Sequence, residues 1–326
     1  MNNNETILVT GSSGFIASKV AEFLLRDGYT VVGVDNMNDY YDVRLKEARL
    51  RFLQEKENFI FYNYDIENID LMREIFLKHQ ISKVVNLAAR AGVRYSMENP
   101  HIYMTTNANG TLNLLEVMKE HGIKKMVLAS TSSLYAGQEM PFSEDLSVNV
   151  PISPYAASKK AAEVMAYSYH YLYDMDISVV RYFTVFGPNG RPDMCIFRFI
   201  KWIDEGLPIE LFGDGSQSRD FTYVDDIAEG TIKAMRDVGY EIINLGGGQN
   251  PISINAIIEM IEGHLGKTGI IENKPFHKAD IKETWANIDK AARLLDWKPT
   301  VSVEDGVKRC VDWHIANRDW LKNVQL

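Results

Sequence analysis

Tyr155 and Lys159 stand four residues apart just after Pro154, at the start of a segment whose apolar spacing is helical. A phenol and an ammonium so placed share one helical face. An unperturbed phenol titrates near ~10, and making it a base near neutrality takes about 4 kcal/mol of differential stabilisation of the phenolate. A neighbouring ammonium and a positively charged cofactor ring supply stabilisation of that kind. The run Ser130-Thr131-Ser132-Ser133 closes an apolar stretch with four hydroxyls. Hydroxyls also satisfy loop backbone, and any amphipathic helix can carry a Tyr–Lys pair, so neither feature decides alone. A third lies at Gly11-Ser-Ser-Gly14-Phe-Ile-Ala17, directly after an apolar run. Glycines there permit a tight turn and let backbone approach a pyrophosphate seated on a helix N-terminus. A plain strand–helix turn uses the same glycines. Asp35 follows 21 residues after Gly14, where an acid that hydrogen-bonds an adenosine ribose is expected. It would repel a 2′-phosphate, and no Arg directly follows it, which favours NAD over NADP. Asp65 is a candidate for the adenine or, equally, a helix cap.

These residues need a scaffold. Short runs rich in Val, Ile and aromatics, at 6–10, 30–35, 59–63, 83–87, 124–129 and 177–182, read as strands buried on both faces. Helical spacing fills the gaps at 15–27, 44–55, 69–79, 103–121 and 155–173. This alternation predicts an α/β fold with a doubly wound parallel sheet, the Rossmann arrangement, with ligands beyond the carboxyl ends of the strands. After residue 184 the rhythm changes, with helices near 197–205, 255–266, 289–296 and 303–317 and a strand at 209–212. Residues 1–184 are expected to form the NAD-binding domain, with 225–245 returning to it. Residues 185–326 would be mainly a smaller α/β substrate-binding lobe.

Composition narrows the function class. The chain has 326 residues, enough for about two domains. With 46% hydrophobic and 24% charged residues it is neither disordered nor fibrous. A net charge of −9 argues against a nucleic-acid or anionic-membrane partner. The two cysteines, Cys195 and Cys310, lack metal-type spacing, the histidines show no paired ligand spacing, and no metal site is expected. No signal peptide and no membrane span are read, so the expected location is cytoplasmic.

Taken together, the glycine turn, the hydroxyl row and Tyr-x-x-x-Lys resemble the extended short-chain dehydrogenase/reductase family. The stretches 34–42 (VDNMNDYYD), 44–50 (RLKEARL), 88–96 (AARAGVRYS) and 187–194 (GPNGRPDM) look like the signature of its UDP-glucuronate 4-epimerase branch. Residues 219–226 (RDFTYVDD) are similar to a segment shared by nucleotide-sugar epimerases. The resemblance covers essentially the whole chain. It implies Thr131, Tyr155 and Lys159 as catalytic residues, and Tyr182 near the nicotinamide. It puts Ser13, Phe15, Ile16, Asn36, Asn38, Ile66, Leu87, Ala88, Ala89 and Thr106 at the cofactor with Gly11, Gly14, Asp35 and Asp65. Arg219 and Asp280 would hold the UDP phosphates and ribose, with Arg94, Thr184 and Phe212 also at the substrate. Three departures stand out: Ala17 replaces a common third glycine, Asn189 stands where Trp is frequent, and there is no Arg near His277.

Related sugar 4,6-dehydratases carry Asp-Glu after the Thr, and related decarboxylases carry Glu at the second of those positions. Ser132 and Ser133 stand there in this chain and cannot supply that acid–base work. The expected reaction is reversible inversion at C4 of a UDP-hexuronate through a 4-keto intermediate, with tightly held NAD. Epimerisation of UDP-glucose or a UDP-N-acetylhexosamine is the alternative, and decarboxylation of UDP-glucuronate a weaker one. A 4-keto uronate is a β-keto acid prone to lose CO₂, so its carboxylate needs restraint. Thr131, Ser132, Ser133 and Thr184 with Arg191 are the candidates, although Arg191 equally suits a loop salt bridge. The helices at 103–121 and 155–173 resemble the pair that forms the family's dimer interface, so a homodimer is expected.

Overall fold

In the computed structural model, which describes residues 5–249, 251–276 and 281–326, the apolar runs of the first half are strands with a helix after each. The chain runs through β1 (Thr6–Thr10), α1 (Phe15–Arg26), β2 (Thr30–Val34), α2 (Val43–Gln54), β3 (Phe59–Tyr62), α3 (Ile69–Lys78) and β4 (Ile81–Asn86). Three helical pieces follow, α4 (Val93–Glu98), α5 (Pro100–Tyr103) and α6 (Gly110–His121), then β5 (Lys125–Thr131), α7 (Pro154–Tyr173) and β6 (Asp176–Tyr182). Next come β7 (Thr184–Phe186), α8 (Cys195–Glu205), β8 (Pro208–Phe212), β9 (Ser218–Arg219), β10 (Phe221–Tyr223), α9 (Val224–Lys233) and β11 (Tyr240–Leu245). The chain ends with β12 (Ile252–Ser253), α10 (Ile254–Leu265), β13 (Ile270–Lys274), α11 (Asp289–Leu295) and α12 (Val303–Leu321).

Seven strands build one parallel sheet in the order β11-β6-β5-β4-β1-β2-β3. From β1 the chain works outward to β3, then crosses back to β4 on the other side of β1. The reversal opens a crevice at the carboxyl ends of β1 and β4, the usual ligand position of a doubly wound sheet. Alternate side chains feed two cores, as period-2 strands covered on both faces require. Ile7 and Val9 face α1 through Val20 and Leu24, whereas Leu8 faces α3 and α6 through Met72, Ile75 and Leu114. The first of these cores continues into α8, α10 and α12 through Phe199, Ile203, Ile257, Ile261, Val307 and Val311. β8 pairs with β13 in parallel, and β7 with β10, as separate two-stranded sheets.

Two differences from the sequence reading bear on the site. The single helix expected over 103–121 is broken: α5 ends at Tyr103, and Met104–Asn109 winds as a wider π-type turn before α6. There the Asn107 side chain accepts from the Arg90 backbone amide (2.8 Å) and donates to the Arg90 carbonyl and the Ser158 hydroxyl (2.9 Å each). Long-range amide bonds of this kind outrank the local helical period, and π turns recur at functional positions. β5 also runs two residues past its expected end, because Ser130 and Thr131 still pair with Arg181 and Tyr182 of β6.

That extension carries Ser130 to a buried ion pair. Glu163 of α7 and Arg181 of β6 are each 1% exposed and meet through two hydrogen bonds of 2.9 and 2.8 Å. Ser130 donates to the same carboxylate at 2.7 Å, and Arg181 reaches the Tyr135 hydroxyl at 2.8 Å. Tyr135 in turn donates to Asn244 of β11 at 2.8 Å. Burial pushes the Glu163 carboxyl up, but Arg181 and Ser130 outweigh this and hold it below the ordinary glutamate range. Removing one member of such a pair strands the other charge and costs about 3–5 kcal/mol. Arg181→Met is therefore expected to lower unfolding stability by roughly that amount in urea titrations. A loss within about 0.5 kcal/mol, ordinary for surface changes, would show that the pair braces nothing.

Candidate active site

A cleft of about 460 Å³ opens at the sheet's carboxyl edge, from the β1–α1 turn to the loop after β7. At its floor Gly11 takes a left-handed φ of +68°, and a Cβ there would lie 2.9 Å from the Ala88 N and Cα. The Gly14 amide donates to the Gly11 carbonyl at 2.7 Å, which tightens the turn. No side chain caps the N-terminus of α1, so its first amides are left for a ligand. Asp35, just past β2, accepts from the backbone amides of Ser13 (3.1 Å) and Met37 (2.8 Å), with the Lys46 ammonium 3.7 Å away. A glycine cradle, an uncapped helix start and an acid at the end of β2 are a donor and acceptor set that fits an NAD-type dinucleotide. Asn36 donates to Asp65 at 2.6 Å, and α3 is capped by Asn68, so Asp65 is not its cap. Gly14, Phe15, Ile16, Asn38, Ile66, Leu87, Ala88, Ala89 and Thr106 line the same cleft. Ser13 is fully buried beneath it and takes part through its backbone.

Further along lies the reactive end. Thr131 ends β5, and its hydroxyl accepts from the Ser133 amide and donates to the Ser133 hydroxyl, both at 3.1 Å. Ser153 caps α7 by accepting from the Ala156 amide at 3.2 Å, which starts the helix one residue before Tyr155. Lys159, one turn on, donates to the Ala129 carbonyl at 3.0 Å. Burial pushes the Lys159 ammonium down to about 8, with Glu163 opposing it. Burial also raises the Tyr155 phenol, against the pull of Thr131 and then Arg191. Burial outweighs both, so the phenol sits above its ordinary value. Tyr182 lines the cleft with its hydroxyl 2.8 Å from that of Thr231.

The residues read as substrate contacts divide. Ser132, Ser133, Thr184, Arg191 and Arg219 line the cleft with Tyr155. Arg191 pairs with Asp193 on its own loop through Nε (3.0 Å) and Nη2 (2.5 Å), and its guanidinium lies 5.6 Å from the Tyr40 ring centre. Arg94 and Phe212 stack on each other 3.9 Å apart and do not line the cleft. Asp280 lies outside the described residues. Tyr40, Tyr41, Lys46, Tyr64, Arg90 and Asp193 also line the cleft and were not singled out from the sequence. All but Tyr64 fall inside stretches recognised as signatures, so the signal was there at the level of the motif and not of the side chain. Since a left-handed non-glycine residue costs roughly 1–2 kcal/mol, and the Ala88 contact adds to this, Gly11→Ala should cut NAD carried through purification at least ~10-fold. NAD released on denaturation measures it, and an unchanged NAD content would remove the turn from cofactor binding.

Comparison with known proteins agrees with this geometry. The model of the NAD dependent epimerase/dehydratase family matches residues 7–246. A UDP-glucuronate 4-epimerase of Thermodesulfobacterium geofontis is 60% identical over 98% of this chain and 99% of its own. The crystal structure of UDP-glucuronic acid 4-epimerase from Bacillus cereus in complex with UDP-glucuronic acid and NAD superposes with a TM-score of 0.90 at 38% identity, covering 96% of this chain and 99% of that one. A UDP-glucose 4-epimerase of Thermotoga maritima with UDP-glucose gives a TM-score of 0.85 at 31% identity, covering 96% and 99%. A dinucleotide cradle joined to a Thr–Tyr–Lys end, on a chain so matched, makes this protein a member of the NAD-dependent epimerase/dehydratase family.

Proposed function

We propose that this chain is an isomerase that inverts C4 of UDP-glucuronate to give UDP-galacturonate, reversibly and with NAD as its resident cofactor. The observation that carries the reading is one continuous cleft. It joins the glycine cradle to Tyr155, and Ser132 and Ser133 stand where dehydration or decarboxylation would need acids. NAD held in the cradle supplies reversible redox exchange at C4. Gly11, Gly14 and the N-terminus of α1 take its pyrophosphate, and Asp35 takes a ribose. Tyr155 removes the 4-OH proton, Thr131 orients that hydroxyl, and Lys159 is the neighbouring charge. Lys159 would stabilise the phenolate by its charge and offer its ammonium to a ribose of the dinucleotide. The same phenol returns the proton after the 4-keto ring has presented its other face.

The uronate adds a constraint. When the C5–C6 bond aligns with the C4 carbonyl π system, its electron pair passes into that carbonyl. CO₂ then leaves, and the enolate takes a proton at C5. An epimerase must deny that alignment in both ring orientations. Hydroxyls of Thr131, Ser132, Ser133 and Thr184, with the Arg191 charge, are the restraint assigned here. Asp193 pre-aligns Arg191 and weakens its field, which suits a group that must hold a carboxylate in two poses. Arg219 is assigned to the UDP phosphates.

A homodimer is part of the proposal. Val164, Tyr167, Tyr171 and Leu172 project from one side of α7 at 51–74% exposure, near the i, i+3, i+7 spacing of a packing face. An apolar stripe this exposed favours burial against a second copy. Among the described residues, no helix is long and apolar enough to cross a membrane.

Tyr155→Phe should keep its fold and NAD while turnover of UDP-glucuronate falls at least ~10²-fold, the scale of a lost general base. Chromatography of the UDP-sugar products checks it, and activity within a few-fold of wild type would take Tyr155 out of the mechanism. Light scattering at micromolar concentration should return twice the chain mass, and Tyr171→Glu should shift it toward one. A monomer for the unaltered chain would reject the dimer.

A further inference from the structure

Arg49 lies on α2, outside the lining of the cleft, and is 4% exposed. All three of its nitrogens are used. Nε and Nη2 donate to the Asn189 carbonyl at 3.0 and 2.7 Å, and Nη2 also reaches the Gly190 carbonyl at 3.0 Å. Nη1 donates to the Ser13 carbonyl at 3.1 Å and to the Tyr41 hydroxyl at 2.8 Å. One guanidinium thus joins the dinucleotide turn, the segment after β2 and the loop between β7 and α8. Among the described residues no carboxylate pairs with it, and every acceptor is neutral. A charge buried among neutral acceptors is a poor source of stability, and its use lies in geometry. The planar fork is what lets one group hold two consecutive carbonyls while its other edge holds two more acceptors; a Lys ammonium has no such fork.

The loop it holds is unusual. Asn189 has a φ of +54°, the left-handed region, and its side-chain oxygen is buried with no partner among the described residues. That oxygen therefore does not secure the turn, whereas Arg49 holds the carbonyls of Asn189 and Gly190. Two residues later Arg191 enters the cleft above Tyr40. We infer that Arg49 is a positioning residue: by fixing the backbone at Asn189 and Gly190 it sets Arg191 against the sugar carboxylate and ties that loop to the seat of the dinucleotide. This rests on the UDP-glucuronate reading above and names how that reaction avoids losing CO₂.

Arg49→Lys retains the charge and loses the fork. With NAD saturating, its affinity for UDP-glucuronate should fall roughly tenfold, the scale of one charge-assisted contact, while its affinity for UDP, which has no carboxylate, stays within about twofold. The fraction of turnovers ending in CO₂ should rise by a similar factor of about ten. Adding Asn189→Gly should recover most of the loss, because glycine adopts the left-handed turn without the brace. Asn189→Val, with Arg49 intact, disfavours the turn from the other side and should reproduce the CO₂ release even if Arg49→Lys folds poorly. Equal weakening of UDP and UDP-glucuronate, or unchanged CO₂ release in Asn189→Val, overturns the positioning role. If the unaltered chain fails to epimerise UDP-glucuronate at all, the functional reading falls and takes this inference with it. Normal epimerisation in that chain, with unaltered CO₂ release in the variants, overturns the inference alone.

Discussion

The buried Glu163–Arg181 pair is the constraint on which the reactive end depends. It joins α7, which carries Tyr155 and Lys159, to β6, and through Ser130 to β5, which carries Thr131. Two charges taken out of water repay their desolvation only with good geometry and further hydrogen bonds. Both are present here, extended through Tyr135 to Asn244 on the edge strand β11. An apolar contact could hold these elements together as firmly but would tolerate sliding. A bidentate pair fixes the rotation of α7 about its axis, which determines where Tyr155 meets the end of β5. Glu163 also faces Lys159 one turn away and opposes the loss of its charge on burial.

Around that fixed end the site is assembled from loops. Residues of the segments 36–42 and 187–194 line the cleft together, with Arg191 near the Tyr40 ring and Asp193 beside it. Scaffold strands give position, and loops give chemistry that a small backbone change can redirect. For a uronate this matters more than for a neutral sugar. The protein must permit the ring to turn over and yet forbid one torsion at C5. The proposed restraint, by several hydroxyls and one partly neutralised guanidinium, fits both demands better than a single tight ion pair.

Much of this was legible in the residues themselves. Near-continuous apolar runs of strand length can be satisfied only by burial on both faces, so a parallel sheet with helices on both sides followed from the alternation alone. Gly11, Gly14 and Asp35 could be placed because the β1–α1–β2 unit is local, and its spacing leaves few geometries. Tyr155 and Lys159 shared a face because the helical repeat requires it. Residue type likewise separated epimerisation from dehydration: Ser132 and Ser133 have no carboxyl group, whatever surrounds them.

Other features lay in contacts between residues far apart in the chain. Nothing in 103–121 announces the π-type turn, which arises because Asn107 bonds Arg90 and Ser158. The short strands β7, β9, β10 and β12 are too brief for a periodic signal and exist because partners lie beside them. Arg49 reads as one more cation on an amphipathic helix, and Asn189 as a loop residue, until folding brings them together across 140 positions. The Tyr155 phenol shows the same limit in its chemistry. The sequence by itself determined that a phenol and an ammonium share a helical face. Tertiary structure alone decided that burial raises the phenol and that the ammonium bonds the Ala129 carbonyl, because desolvation and hydrogen-bond geometry belong to the folded surroundings and not to residue type.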